Sequence, residues 1–526
     1  MEPNVFDVVV VGSGGAALTA AFTAADGGAS VAVFEKSDLL GGTTAISGGG
    51  MWLPGNSLAR SLGIDDSGDA ARPYIGRLTM GLTDDAVIDT YLREAPGLVE
   101  YLQGSTPLHL YCDPERPDYQ SEFEGAISGG RLVGVDEYDT ARLGEYKSIL
   151  RRPKWPGGIE PIRHDEMRAY IDRGDPDGWK VLAEDRIARG IVLRGCGLAA
   201  GLIEANLNRG VRITTEANAF APLLEGGRVC GVEIAQNGRR AEVRARLAVI
   251  LGAGGFEWNN SLWNGLVGRP YDERLSPQTN DGAGLRIASL AGGRMANTAH
   301  VWWQVRGGAA PGSIAVNRRG RRFVNECLNY QDYGTVATAL DPSSYRYENY
   351  PAFEISDASN RPVEFVSDPN ALGDQAKNWP IVEAPTLGEL ADRLGIDADG
   401  LQEQVQEFNR HAENGADPAF HRGEAAWDLY RKVATSALPN PALAPLQSGP
   451  YAARRIKVNV FGTRGGPVID ANARVLDFDD EPVPGLFAAG NVAASIFGQS
   501  YPGGGSTLGS AVIFGKIAGE TAVENG

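Results

Sequence analysis

Apolar residues come in short, dense runs towards both ends of the chain, and several of these runs are closed by glycine. Val8-Val9-Val10-Val11 is β-branched and does not alternate with polar residues, the pattern of a strand buried on both faces of a parallel sheet. Gly12-Ser13-Gly14-Gly15-Ala16-Ala17 follows at once, then an alanine-rich stretch to Ala25 that predicts a helix. A second strand is predicted over 30–34, ending at Glu35. Val249-Ile250-Leu251 predicts another buried strand, running into Gly252-Ala253-Gly254-Gly255, and Gly485-Leu486-Phe487-Ala488-Ala489-Gly490-Asn491 repeats the theme near the end. Gly505-Ser506-Thr507-Leu508 opens a final apolar helix. Between these regions the pattern becomes amphipathic. Thr386-Leu387-Gly388-Glu389 reads as a capping box at the start of a helix, and a second helix is predicted over 400–413. Residues 105–190, rich in Pro, Tyr, Asp and Arg, predict a long excursion that forms one wall of a site.

Composition narrows the function classes. With 526 residues the chain has length for two to four domains, and its 69 glycines are roughly twice the usual share. No Gly-X-Y period accompanies them, so they report tight turns and close backbone approaches. Forty-nine Lys and Arg against 66 Asp and Glu give a net charge of −17, which argues against nucleic acid or an anionic membrane as partner. The cysteines, Cys112, Cys196, Cys230 and Cys327, form no CxxC pair, and only five histidines are present, so no metal site is expected. No apolar stretch is long enough to span a membrane, and the first residues are acidic where a secretory signal is basic. A cytoplasmic location is the expectation.

Strand, G-x-G-x-x-A turn, helix, strand and terminal acid together form the dinucleotide fingerprint. The glycines let the backbone approach a pyrophosphate, the helix N-terminus offers it free N–H groups, and Glu35 accepts hydrogen bonds from a ribose. Leu39-Leu40-Gly41-Gly42-Thr43-Thr44-Ala45-Ile46-Ser47-Gly48-Gly49-Gly50-Met51-Trp52 then separates FAD from a nicotinamide cofactor. A second loop rich in Gly, Thr and Ser after the acidic strand suits the longer flavin nucleotide.

Glu35-Lys36, this second loop, the Gly252–Gly255 turn, Asn280-Asp281-Gly282-Ala283-Gly284 and the Gly490-Asn491 turn occur in the order found in the fumarate reductase/succinate dehydrogenase flavoprotein superfamily, which the chain resembles over essentially its whole length. The resemblance implies an α/β fold: a Rossmann-like FAD-binding domain of the GR2 type with a parallel sheet, built from residues 1–281 and 457–526, and an inserted α+β substrate domain over 282–456. It implies non-covalent FAD, held by Gly12, Gly14, Gly15, Ala16, Ala17, Glu35, Lys36, Gly42, Thr43, Thr44, Ser47, Gly48, Gly49, Gly50, Ala217, Gly252, Ala253, Gly254, Asp281, Gly282, Gly490, Asn491, Ser506, Thr507 and Leu508. The start of the last helix would point at the flavin pyrimidine.

Within that superfamily the fumarate-reducing branch carries an arginine four residues after an Asn-Glu pair and a histidine before Thr-x-Gly-Gly. Here Asn325-Glu326 is followed at that distance by Tyr330, and Gly462 precedes Thr463-Arg464-Gly465-Gly466, which argues against fumarate or succinate as substrate. The chain instead resembles the 3-ketosteroid Δ1-dehydrogenase branch, with Tyr330, with Tyr119 in Asp118-Tyr119 ahead of Gly129-Gly130, and with Tyr501 in Tyr501-Pro502-Gly503-Gly504-Gly505. Proline is favoured there in place of Gly504. The resemblance implies that Tyr501 and the Gly505 N–H polarise a ketone, Tyr330 takes the α-proton, Tyr119 assists Tyr330, and FAD N5 takes the hydride from the β-carbon. Tyr333 is an alternative to Tyr330. Trp302 and Trp303 fall where the branch places aromatic residues along its substrate slot, and Trp52 is a further candidate.

The expected reaction is introduction of a C=C bond α,β to a ring ketone, with a 3-ketosteroid as favoured substrate and a smaller cyclic ketone such as a cyclohexanone derivative as the alternative. The reverse chemistry, an ene-reductase fed by an electron-transfer partner, is the competing class, and a flavin-binding protein without turnover a third. A second complete G-x-G-x-x-G for NAD(P)H is missing, so a quinone or another protein is the expected electron acceptor. Oligomeric state is left open.

Overall fold

The computed structural model describes residues 4–153, 161–175, 178–306, 310–358, 380–430 and 438–524. The β-branched run becomes the strand Val5–Val11 at the centre of an eight-stranded mixed sheet. It pairs in parallel with Val31–Phe34 on one side and with Arg239–Leu251 on the other, and Arg212–Thr214 and Pro482–Ala488 extend the parallel set outwards. The first half of the long Arg239–Leu251 strand instead joins an antiparallel meander with Arg228–Gln236 and Ala217–Glu225. The helix Gly15–Asp26 covers one face and packs on the last helix, Ser506–Glu524. Small residues allow this close packing: a Cβ on Gly515 would sit 2.5 Å from the Ala16 carbonyl oxygen, and one on Gly519 2.6 Å from that of Ala20. The two ends of the sequence are thereby folded into one unit.

A second core forms around a four-stranded antiparallel sheet of Ser313–Val316, Phe353–Ser356, Tyr451–Arg455 and Val382–Ala384. The helices Leu387–Leu394 and Ala398–Ala412 bury Leu390, Leu401, Val405 and Phe408 against it. Thr386 caps the first of these by accepting the Glu389 N–H, as the capping-box pattern predicts.

Two contacts cross the domain limits expected at 281/282 and 456/457. Ala283–Leu290 packs on the meander strand Ala217–Glu225, across the limit expected after position 281. Lys457–Thr463 pairs with Val301–Arg306, so the boundary expected at 456/457 would cut a β-ladder in two. Strand pairing in one case and helix packing in the other join segments distant in the chain, and local composition carries no trace of either. Among the described residues no helix is long and apolar enough to cross a membrane.

The excursion after residue 105 is anchored by a three-stranded sheet of Met51–Trp52, Leu132–Val135 and Leu110–Asp113. Beneath it Arg131, 1% exposed, pairs with Asp66 at 2.6 Å and with Asp118 at 2.7 Å. Burial pushes the Asp118 carboxyl up, and Arg131 opposes that shift. Trp52 adds its indole N–H to Asp118 at 2.6 Å. Losing one partner of a buried ion pair leaves an uncompensated charge and costs about 3–5 kcal/mol. Arg131→Met, which strands two acids, is accordingly expected to lower the unfolding free energy by about 3–5 kcal/mol, measured by urea denaturation of the cofactor-loaded protein.

Candidate active site

A long cavity runs from the first glycine turn to the seam between the two cores. At its inner end Gly12 has φ +102°, and a Cβ there would lie 2.5 Å from the Gly252 carbonyl oxygen. Only glycine permits the two strand ends to approach so closely. Gly14, Gly15 and Ala16 line the cavity at the helix start, whereas Ala17 faces away and packs behind Gly252. Thr44 folds back so that its hydroxyl accepts the Gly15 N–H at 2.9 Å.

Glu35 is buried and accepts the Ser13 hydroxyl at 2.7 Å and the Ser37 N–H at 2.7 Å. Burial raises its pKa while these donors oppose the rise. Ala217, Asn218 and Ala219 face Glu35 from the meander strand, and the buried Oδ1 of Asn218 has no hydrogen-bond partner. Lys36, on the wall, pairs with Asp281, which stands behind it, outside the cavity lining with Gly282. Further along, Gly42, Thr43, Thr44 and Ser47–Gly50 lie opposite Gly252, Ala253 and Gly254. Gly490, Asn491, Thr507 and Leu508 close the far side, while Ser506 is turned into the protein to bond Gly503. An elongated cradle of backbone N–H groups, a buried acid at one end and an orphaned amide oxygen match the needs of a dinucleotide as long as FAD.

Beyond the glycine loops the lining becomes aromatic. Tyr330 starts the helix Tyr330–Ala337, where the Asn329 side chain caps the Gln331 and Asp332 N–H groups at 3.0 Å. The Tyr119 hydroxyl donates to the Tyr330 hydroxyl at 2.9 Å. The Tyr501 ring centroid lies 5.4 Å from that of Tyr119 and 5.8 Å from that of Tyr330, and its hydroxyl bonds Thr507 Oγ1 at 2.8 Å. Tyr330 and Tyr501 face the cavity; Tyr119 stands behind them, 2% exposed. Gly505 also lines the cavity, with φ +94°, and a Cβ on it would lie 2.4 Å from the carbonyl of Gly50.

Burial pushes the Tyr330 hydroxyl well above its ordinary pKa of 10.0, and the neighbouring tyrosines add to the rise. Tyr119 is pushed up to about 12, also by burial, with the Arg116 guanidinium pulling the other way. Arg116 also lowers Tyr330.

Trp302 lines the cavity; its indole N–H donates to Asn491 Oδ1 at 3.1 Å. Two other tryptophans do not join it. Trp303 alternates to the opposite face of its strand and is packed into the core with Tyr333 and Val460. Trp52 is fixed below the sheet, stacked on Tyr91 at 6.2 Å with its N–H on Asp118. Tyr333 is buried with its hydroxyl unpartnered and away from the cavity, so Tyr330 is the tyrosine of this helix that reaches the site.

Several residues emerge only from the fold. Glu257, fully buried, accepts Ser276, Asn280 and the Thr463 N–H, and so ties the second glycine turn to the Thr463 loop. Arg464 donates to the carbonyls of Gln499 and Ser500, which fixes the segment ahead of Tyr501. Burial lowers the Arg464 pKa to about 9. Arg116, Leu132 and His164 bring the 105–190 excursion onto the cavity wall, with Phe461 opposite. His164 is held neutral by burial. A lone arginine or histidine in an irregular loop gives no sequence signal of such a position.

The chain matches the FAD binding domain family over residues 7–508. It is 36% identical to the 4-oxocyclohexanecarboxylate 2-dehydrogenase of Sinomonas cyclohexanicum, over 98% of this chain and 93% of that one. It is 33% identical to a 3-oxosteroid 1-dehydrogenase of Mycolicibacterium smegmatis, over 98% and 97%. Among solved structures, the 3-ketosteroid delta1-dehydrogenase of Sterolibacterium denitrificans superposes with a TM-score of 0.89 at 32% identity, covering 99% of this chain and 100% of that one.

A side chain at 505 would have to adopt a left-handed backbone, costing about 1–2 kcal/mol, and would also strike the Gly50 carbonyl. Gly505→Ala is expected to destabilise the protein by about 2 kcal/mol or more, with reduced FAD content on purification, read by thermal melting and the flavin spectrum.

Proposed function

Because the chain belongs to the FAD binding domain family, we propose that this FAD-dependent oxidoreductase removes two hydrogens from a CH–CH bond next to a ring ketone. The observation that carries this reading is the meeting of Tyr330, Tyr501, Tyr119 and Gly505 at the end of the FAD-sized cavity. The names of the two relatives and of the superposed structure point to the same reaction on rings of different size.

The chemistry follows from the residue types. The Tyr501 hydroxyl and the Gly505 N–H hold the ketone oxygen and stabilise the negative charge that gathers on it as the α-proton departs. Thr507 Oγ1, bonded to the Tyr501 hydroxyl at 2.8 Å, orients that donor. Tyr330 takes the α-proton on its phenolic oxygen. Tyr119, which donates to that oxygen, stabilises the ionised form and passes the proton on. FAD, when bound, accepts the electron pair that leaves the β-carbon as hydride. An external quinone or electron-transfer protein then reoxidises the enzyme.

Anaerobic mixing of the yellow protein with 4-androstene-3,17-dione, cyclohexanone and 4-oxocyclohexanecarboxylate in turn tests the reaction. Bleaching of the oxidised flavin band by at least one ketone is expected. No bleaching by any, together with reoxidation of the dithionite-reduced flavin by an enone, would instead make the enzyme a reductase.

Tyr330→Phe and Tyr501→Phe are each expected to retain FAD and to lower kcat by roughly 10²-fold or more. Wild-type turnover in either variant removes that residue from the mechanism. A base whose pKa lies above 10 is mostly protonated at neutral pH, so kcat/KM is expected to rise by about tenfold per pH unit from pH 7 upwards, without levelling off below pH 10. A plateau near neutrality in the pH–rate profile would contradict Tyr330 as the base.

A further inference from the structure

We propose that Arg116 is a specificity residue that binds a carboxylate on the substrate, so that the preferred ring ketone is a small one carrying an acid group. This rests on the ring-ketone reading above and adds the substrate's size and charge.

Arg116 leaves the loop between Leu110–Asp113 and Leu132–Val135, and its side chain lines the cavity beside Tyr330 and Tyr501. Among the described residues no carboxylate forms an ion pair with its guanidinium. Asp113, three residues back, feels the charge without pairing with it. The guanidinium lies near the Tyr119 and Tyr430 hydroxyls and 5.8 Å from the Trp427 ring centroid, while its buried Nε has no hydrogen-bond partner. The cavity's other cationic side chains differ: Lys36 pairs with Asp281, and His164 is neutral. A buried cation without an anion is costly, and a carboxylate delivered by the substrate removes the cost.

Gly504 supports the same assignment. Its φ lies outside the left-handed region, so its backbone does not call for glycine. What a side chain would meet is Arg116: a Cβ at 504 would lie 2.9 Å from Nε and 3.2 Å from Cζ. Glycine at this point leaves room for the guanidinium, one residue from the Gly505 N–H that holds the ketone. A single ring held by its ketone at Gly505 therefore carries a substituent towards a positive charge. A neutral steroid skeleton would instead cover that charge with hydrocarbon.

The test uses the FAD-loaded enzyme and three ketones: 4-oxocyclohexanecarboxylate, its methyl ester and cyclohexanone. Wild type is expected to favour the acid over the ester by about 10²-fold in kcat/KM. Arg116→Met should remove most of that preference, chiefly through KM, and should weaken binding of cyclohexanecarboxylate, followed by perturbation of the flavin band, by a similar factor. Its effect on cyclohexanone should be at least about tenfold smaller. Arg116→Lys should recover part of the acid preference, and Gly504→Ala should lose part of it. Equal losses on all three ketones with a displaced pH profile would mean that Arg116 serves the tyrosine pair, and would overturn the proposal. So would a wild-type enzyme indifferent to the acid group. Failure of every ketone to bleach the flavin would sink the ring-ketone reading, while cyclohexanecarboxylate binding would still report separately on Arg116.

Discussion

Backbone passing against backbone, with no side chain between, is the constraint on which this protein is organised. Where Gly505 meets the Gly50 carbonyl, the carboxyl-terminal segment crosses the second glycine loop of the amino-terminal unit. Where Gly12 meets Gly252, two parallel strands end close enough to leave a cleft lined by amides. These contacts place Tyr501 and the start of the last helix at the mouth of a nucleotide cavity. The helix Tyr330–Ala337, packed on the strand Val301–Arg306, then brings Tyr330 to the same point, and the 105–190 excursion brings Tyr119 and Arg116. Four stretches of sequence, far apart in the chain, thus supply one site.

The base proposed for this site is of an unusual kind. A tyrosine is a weak base at neutral pH even in water, and burial weakens it further by penalising the phenolate. Around Tyr330 the positive charge of Arg116 opposes that penalty, and the Tyr119 hydroxyl stands 2.9 Å away. The substrate carboxylate proposed for Arg116 would offset part of that charge and so would couple substrate recognition to base strength. The aromatic surroundings, with Tyr119 packed 4.5 Å from Trp427 and Trp302 packed 5.0 Å from Tyr501, hold the rings in register while excluding water.

Support for this arrangement comes from buried charges that never touch the cavity. Arg131 holds Asp118, which precedes Tyr119 and also accepts Trp52. Glu257 joins three loops, and Arg464 grips the carbonyls ahead of Tyr501. Each satisfies backbone or side-chain groups that would otherwise be unpaired in a dry interior. Trp52, with its aromatic character and its place after the glycine loop, reads in sequence like a pocket residue, and it is one of these supports instead.

The sequence by itself determined the nucleotide cradle, because its chemistry is local. A strand, a glycine turn, a helix start and an acid within some thirty residues dictate their own geometry through backbone conformation and hydrogen bonding. It also carried Tyr330 and Tyr501, whose positions lie inside recognisable frames. Tertiary structure alone decided which tryptophan reaches the cavity, since adjacent residues of a strand face opposite ways and only the placement of the sheet shows which face is wet. The pairing of Val301–Arg306 with Lys457–Thr463 was likewise decided only in three dimensions. Arg116 belongs to this second class. Its charge is plain in the sequence, but the absence of a neighbouring acid among the described residues, and the space that Gly504 leaves for it, exist only once segments nearly four hundred residues apart have met.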